Sequence, residues 1–234
     1  SMGNRLWIAD LKSSAQPDLD VRPQAVAGEE DAIHNPLGVI GDELYLYTTH
    51  GAPRGRIVAA KIGDADRSKW RTVVAEGKDA MLDEGVVLAR GQLVVVYLAD
   101  VQSRVRLFGL DGKPQGEISL PEPGSVTGPA TGVPGIRGNN DSRELHLNFV
   151  SFLRPATIFR YDLDRGALEP FHAPQSPFAA AQCETRPSFY TSKDGTRVPI
   201  FVTLRKGTKL DGSHPAMLYG YGGFNISVVP NFSP

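Results

Sequence analysis

The sequence predicts a mostly β protein, and three observations carry that reading. Helical periodicity is almost absent. Short β-rich runs recur instead, separated by Gly, Asp, Asn and Pro, as in an antiparallel meander. A four-strand unit also repeats at an interval near fifty residues, the spacing of a propeller blade.

The elements follow in order. Arg5–Leu11 reads as a strand from the first residues onward. Leu37–Ile40 and Glu43–Tyr47 flank Gly41-Asp42, a tight hairpin. Val86–Ala89 and Leu93–Leu98 flank Arg90-Gly91-Gln92 in the same manner. Arg104–Leu110, the turn Asp111-Gly112 and Gly116–Leu120 complete a four-stranded unit. The repeat is visible in Arg5–Leu11, Arg56–Ile62, Arg104–Leu110 and Thr157–Leu163, each an alternating strand closed by an aliphatic residue and a polar turn. The closing residues Leu11, Ile62, Leu110 and Leu163 lie 51, 48 and 53 positions apart. The rival reading of the same strands is one antiparallel sandwich with coincidental spacing. Three and a half blades cannot close a ring, so the chain is expected to be an interior piece of a longer polypeptide.

The character changes after about Pro174. Ala179-Ala180-Ala181 and Pro187 read as a linker. Ser188–Thr191 and Val198–Leu204 then form a hairpin about Lys193-Asp194-Gly195. Lys206–His214 reads as a polar loop, and Pro215–Gly220 as a buried strand that breaks into Tyr221-Gly222-Gly223-Phe224-Asn225. A short apolar strand ending in glycines suits a parallel-sheet edge at which a site is built.

Composition removes several functions. The 234 residues suffice for one large domain or two small ones, and 41% are hydrophobic against 22% charged. With 25 basic and 26 acidic residues the net charge is −1, and no block of five like charges occurs. That leaves no electrostatic footprint for nucleic acid or for an anionic membrane. No apolar run approaches the ~18 residues of a membrane helix. The single cysteine, Cys183, has no internal disulfide partner and reads as an inert structural residue.

No serine has glycine two residues before it, so the chain has no Gly-x-Ser-x-Gly elbow. His-Glu-x-x-His, Cys-x-x-Cys and Gly-x-x-x-x-Gly-Lys are also missing. His34, His50, His146, His172 and His214 are scattered singly and read as surface or packing residues. No metal site and no cofactor are expected.

The segment Ser192 to Phe232 is the most informative. Ser192-Lys193-Asp194-Gly195-Thr196-Arg197-Val198-Pro199, Lys209–Pro215 and Leu218-Tyr219-Gly220-Tyr221-Gly222-Gly223-Phe224-Asn225-Ile226 resemble the entry into the catalytic domain of prolyl oligopeptidases. Upstream, Ser68-Lys69-Trp70, Tyr97–Val101 and Ser151-Phe152-Leu153 resemble the propeller of that family. The resemblance implies residues 1–175 as blades of an incomplete propeller of the seven-bladed type. It implies 176–234 as the first strands of an α/β-hydrolase domain, also incomplete.

It further implies a cytoplasmic serine peptidase, with a periplasmic setting as the alternative, that cleaves short peptides after proline. The expected partners are such peptides and the remainder of its own polypeptide. Tyr221 takes the place of the tyrosine that donates its hydroxyl to the oxyanion of the tetrahedral intermediate. A phenol with pKa about 10 stays protonated at neutral pH and can serve so. Phe224 takes the place of a wall of the proline pocket, where an aromatic face suits a flat apolar ring. The family's nucleophilic Ser, its Asp and its His are expected beyond Pro234, so the chain by itself is expected to be inactive. Two rivals stand: a stand-alone propeller binding module, and a piece of an oligopeptidase B or dipeptidyl peptidase relative.

Overall fold

A computed structural model describes residues 3–13, 15–28, 32–64, 66–78, 80–128, 135–224 and 226–233, with the side chains of 83–87 left aside. Asn225 of the Tyr221–Asn225 stretch lies outside the described residues. Strands dominate, and among the described residues helix is confined to single 3-10 turns at Arg67–Lys69 and Ala180–Gln182.

The strands fall into successive sheets in chain order. Strands β1 (Leu6–Ile8) and β2 (Gln24–Ala27) form an antiparallel pair. The next sheet runs β3 (His34–Ile40), β4 (Glu43–Thr48), β5 (Arg56–Lys61) and β6 (Arg71–Val74), each beside its sequence neighbour. A second such sheet runs β7 (Met81–Ala89), β8 (Gln92–Ala99), β9 (Gln102–Gly109) and β10 (Pro114–Ile118). In the third, β13 (Glu144–Val150), β14 (Thr157–Asp162) and β15 (Ala167–His172) follow one another. The short β11 (Ser125–Val126) and β12 (Ile136–Arg137) both pair with β13. A separate hairpin joins β16 (Cys183–Thr191) to β17 (Arg197–Arg205).

The inner strands explain why these sheets stack like blades. Side chains alternate across a strand, so a strand covered on both faces is apolar throughout. In β8, Leu93, Val94, Val95 and Val96 are all fully buried. Leu93, Val95 and Tyr97 pack with Tyr45, Tyr47, Ile57 and Val74 of the preceding sheet. Val94 and Val96 pack on the other face with Ile136, Leu145, Leu147 and Phe149 of the following one. Strands β4 and β5 repeat the pattern, turning Leu44, Leu46, Val58 and Ala60 toward Leu6, Ile8 and Val26. A two-sheet sandwich would give each sheet one buried face. Here the two middle sheets are buried on both, which rules the sandwich out.

Turn chemistry sets the registers. Ile40 pairs with Glu43 across Gly41-Asp42, and Gly41 has φ +62°. Ala89 pairs with Gln92 across Arg90-Gly91, both at positive φ, so Gln92 belongs to the strand and the loop has two residues. At the opposite end of β8, Ala99 pairs with Gln102 across Asp100-Val101, at φ +49° and +55°. A β-branched residue in that region is a genuine outlier.

Two expectations fail in the last sixty residues, those for Pro187 and for Pro215–Gly220. Pro187 is not linker: it sits inside β16 opposite Phe201, tolerated because a two-stranded hairpin leaves one edge of each strand without ladder bonds. Cys183 opens that same strand. Pro215–Gly220 is neither a strand nor buried. Among the described residues no strand pairs with it, and an extended segment without a hydrogen-bonding neighbour is no strand. No helix among the described residues is long and apolar enough to cross a membrane.

Candidate functional site

Both sequence-predicted site residues lie on the irregular segment after β17. Tyr221 is 53% exposed and Phe224 is 89% exposed. The glycines between them shape the chain: Gly222 takes φ +67°, and the Gly223 carbonyl accepts the Ile226 N–H at 3.0 Å, closing a turn. Phe224 is itself left-handed, at φ +52°, a conformation that costs a non-glycine residue about 1–2 kcal/mol. Tyr221 and Phe224 are thus presented from one tight turn, with the Tyr221 ring carbon Cε1 3.5 Å from where a side chain on Gly223 would begin. Met217 and Leu218, 92% and 85% exposed, extend this surface toward β17. A run of large exposed apolar side chains of this kind is the mark of a contact surface.

Beyond the turn the chain returns to the stacked sheets. The Ser125 hydroxyl donates to the Pro230 carbonyl at 2.9 Å, across 105 residues of sequence. The Phe232 ring meets Phe178 edge-on, with centroids 6.0 Å apart. Ser125 lies at the end of the stack that carries the Asp100-Val101 tip: the Ser103 N–H donates to the Gly124 carbonyl, and the Ser103 hydroxyl accepts the Val126 N–H at 2.8 Å.

At this end a cavity of about 420 Å³ opens between the last sheet and residues 176–183, lined by Glu122, Arg154, Phe178, Cys183 and Lys206. Arg154 Nε donates to Glu122 Oε1 at 2.9 Å, and the Ser151 hydroxyl donates to the same oxygen at 3.0 Å. Ser151 in turn accepts the N–H groups of Leu153 and Arg154, so the Ser151–Leu153 stretch is a hydrogen-bonded corner. Sequence reasoning missed both the corner and the Ser125–Pro230 contact. No local pattern announces a contact between residues this far apart.

The histidines do not converge on Tyr221. His34 is buried beneath the first blades, with Nδ1 3.0 Å from the Thr48 hydroxyl and its backbone paired with the Asn4 amide. Burial, and secondarily His50 nearby, holds its pKa below the usual value. His146 packs against Phe171, and His214 lies in the exposed loop before Pro215. Among the described residues no three His, Cys, Asp or Glu side chains group to hold a metal. In the β16–β17 turn, hydrogen bonds from Ser192 and Thr196 bring the exposed Asp194 carboxyl down to about 2.

Comparison with known proteins places this architecture. Residues 1–174 match the family description "Prolyl oligopeptidase, N-terminal beta-propeller domain". The chain is 34% identical over 231 residues to a prolyl endopeptidase of Elizabethkingia miricola, covering 99% of this chain and 30% of that protein. It is 30% identical over 239 residues to a dual function macrocyclase-peptidase of Amanita bisporigera, covering 100% of this chain and 31% of that protein. Among solved structures, a chain from a mechanistic study of two prolyl endopeptidases superposes with TM-score 0.80 at 30% identity, over 99% of this chain and 32% of that one. The apo prolyl oligopeptidase B of Galerina marginata gives TM-score 0.84 at 26% identity, over 100% and 32%. The chain therefore spans about 30% of the length of the curated relatives it matches. A stack of four-stranded antiparallel blades, matched over residues 1–174 and related at about one-third identity along nearly its whole length, belongs to the prolyl oligopeptidase family through its β-propeller domain.

Proposed function

We propose that this chain is the region of a post-proline-cleaving serine peptidase where the last blades of a seven-bladed-type propeller, residues 1–175, run into the first strands of an α/β-hydrolase domain, residues 176–234. The observation that supports the reading is the similarity to a prolyl endopeptidase over 99% of this chain, a span that takes in both parts, together with the Tyr219–Phe224 motif. The exposed apolar run from Met217 to Ile226 suits a segment whose packing partners belong to the remainder of a longer polypeptide.

In this reading Tyr221 donates its hydroxyl to the oxyanion that forms when a serine attacks the proline carbonyl of the substrate, and Phe224 lies against the pyrrolidine ring. The donor acts where negative charge develops, so its effect falls on the transition state rather than on substrate binding. The chain holds no Gly-x-Ser-x-Gly nucleophile of its own. It acts on short proline-containing peptides only together with the rest of the enzyme.

The test is steady-state kinetics of the full-length enzyme on a proline-containing chromogenic peptide. Tyr221→Phe should lower kcat and kcat/KM together by roughly 10²–10³, with KM nearly unmoved. Phe224→Ala should act mainly through KM and loss of proline preference, and residues 1–234 alone should give no turnover. An unchanged kcat in Tyr221→Phe, where chemistry limits the rate, removes the oxyanion role.

A further inference from the structure

We infer that Ser125 is a positioning residue: through the carbonyl of Pro230 it fastens the segment after the Tyr221–Phe224 turn to the end of the propeller. The inference rests on the reading of Tyr221 and Phe224 given above and adds the device that holds them in place.

The turn cannot fix itself. Residues 215–224 pair with no strand among the described residues, and Tyr221 and Phe224 are largely exposed. Their backbone includes a left-handed phenylalanine, a conformation that persists only where surrounding contacts determine it. Downstream, Pro230 and Phe232 make contacts of this kind. Pro230 is buried, and its carbonyl accepts the hydroxyl of a serine that is only 3% exposed. A buried hydroxyl–carbonyl pair is a fixed point, because separating it leaves both groups unsatisfied.

The propeller side of this contact is built rigidly. Ser125 opens β11, whose two residues pair with Val150 and Phe149 of β13. The β8–β9 hairpin tip braces it through the Ser103 bonds to Gly124 and Val126. Gly124 leaves no slack, since a Cβ there would lie 2.3 Å from the Phe149 ring and 2.6 Å from the Val150 carbonyl. Phe178 against Phe232 supplies a second, apolar point on residues 176–183. Two fixed points close after the turn limit the orientations available to Tyr221 and Phe224. The propeller then acts on the chemistry through positioning alone.

Two measurements on Ser125→Ala test this. In the 234-residue chain, amide hydrogen exchange should quicken about 5- to 10-fold at 221–233, the equivalent of one lost hydrogen bond, while β8, β9 and β13 exchange as before. In the full-length enzyme kcat/KM should fall by a similar factor, and Ser125→Thr, which keeps the hydroxyl, should recover it. Phe178→Ala should quicken the same amides and guards against a Ser125 variant that fails to fold. Unchanged exchange at 221–233 in both alanine variants overturns the fastening. Quickened exchange with wild-type kinetics overturns the positioning role. The Tyr221→Phe enzyme separates the two readings: a loss there with wild-type Ser125→Ala leaves the oxyanion reading standing and sinks this one. A wild-type Tyr221→Phe enzyme sinks the oxyanion reading, while exchange still judges the contact.

Discussion

Gly124→Ala should destabilise the propeller out of proportion to the single methyl group it adds. The new Cβ would lie 2.3 and 2.5 Å from the Cζ and Cε2 atoms of Phe149 and 2.6 Å from the carbonyl oxygen of Val150, all inside contact distance. Phe149 is fully buried and packs edge-on to Phe159 with centroids 6.0 Å apart, so its ring has no free direction in which to retreat. The Val150 carbonyl is backbone and moves only with β13. Overpacking of this kind costs about 1–3 kcal/mol. For a chain of this size each kcal/mol lowers Tm by about 2–4 °C, giving a drop of roughly 2–12 °C. Thermal unfolding followed by circular dichroism reads it directly. Phe149→Leu removes the ring atoms that clash, so the double variant should be about 1 kcal/mol more stable than the sum of the two single losses. Rescue should stay partial because the Val150 contact remains. An unchanged Tm for Gly124→Ala, or additive losses in the double variant, would refute the packing argument.

Val94→Ala and Val95→Ala should each cost about 2 kcal/mol in urea unfolding and should be nearly additive, since the two side chains enter separate cores on opposite faces of β8; a near-neutral result at either position would mean that this face is solvated. His34 should make stability fall on acidification. Its folded pKa is depressed, so the stability is fully present above the ordinary value near 6.5. As pH drops below that value the unfolded chain takes up a proton first, and stability is lost until the folded pKa is passed. One proton gives a slope of at most about 1.4 kcal/mol per pH unit. Urea midpoints between pH 7 and 5 should flatten in His34→Gln, and identical slopes in both proteins would show that His34 does not titrate with unfolding.

The blades were legible because their causes are local. Period-two alternation marks strands. Gly41-Asp42 and Asp111-Gly112 mark turns, and the spacing of Leu11, Ile62, Leu110 and Leu163 marks the repeat. Leu93–Leu98 reads as a strand, and the structure adds that it is buried on both faces. The residue types at Tyr221 and Phe224 could likewise be read, through the resemblance their motif carries. Other features depend on neighbours distant in sequence. Pro215–Gly220 has the apolar composition of a buried strand, yet no strand among the described residues lies beside it to complete a ladder, and it stays exposed and irregular. Pro187 has the character of a linker, yet the facing strand β17 carries it into a hairpin. Ser125 and Pro230 are unremarkable in their own surroundings and acquire a role only when folding brings them to 2.9 Å. Local sequence sets backbone preference and side-chain alternation, whereas pairing, burial and hydrogen-bond satisfaction are properties of two chain segments at once, and only the tertiary structure brings those segments together.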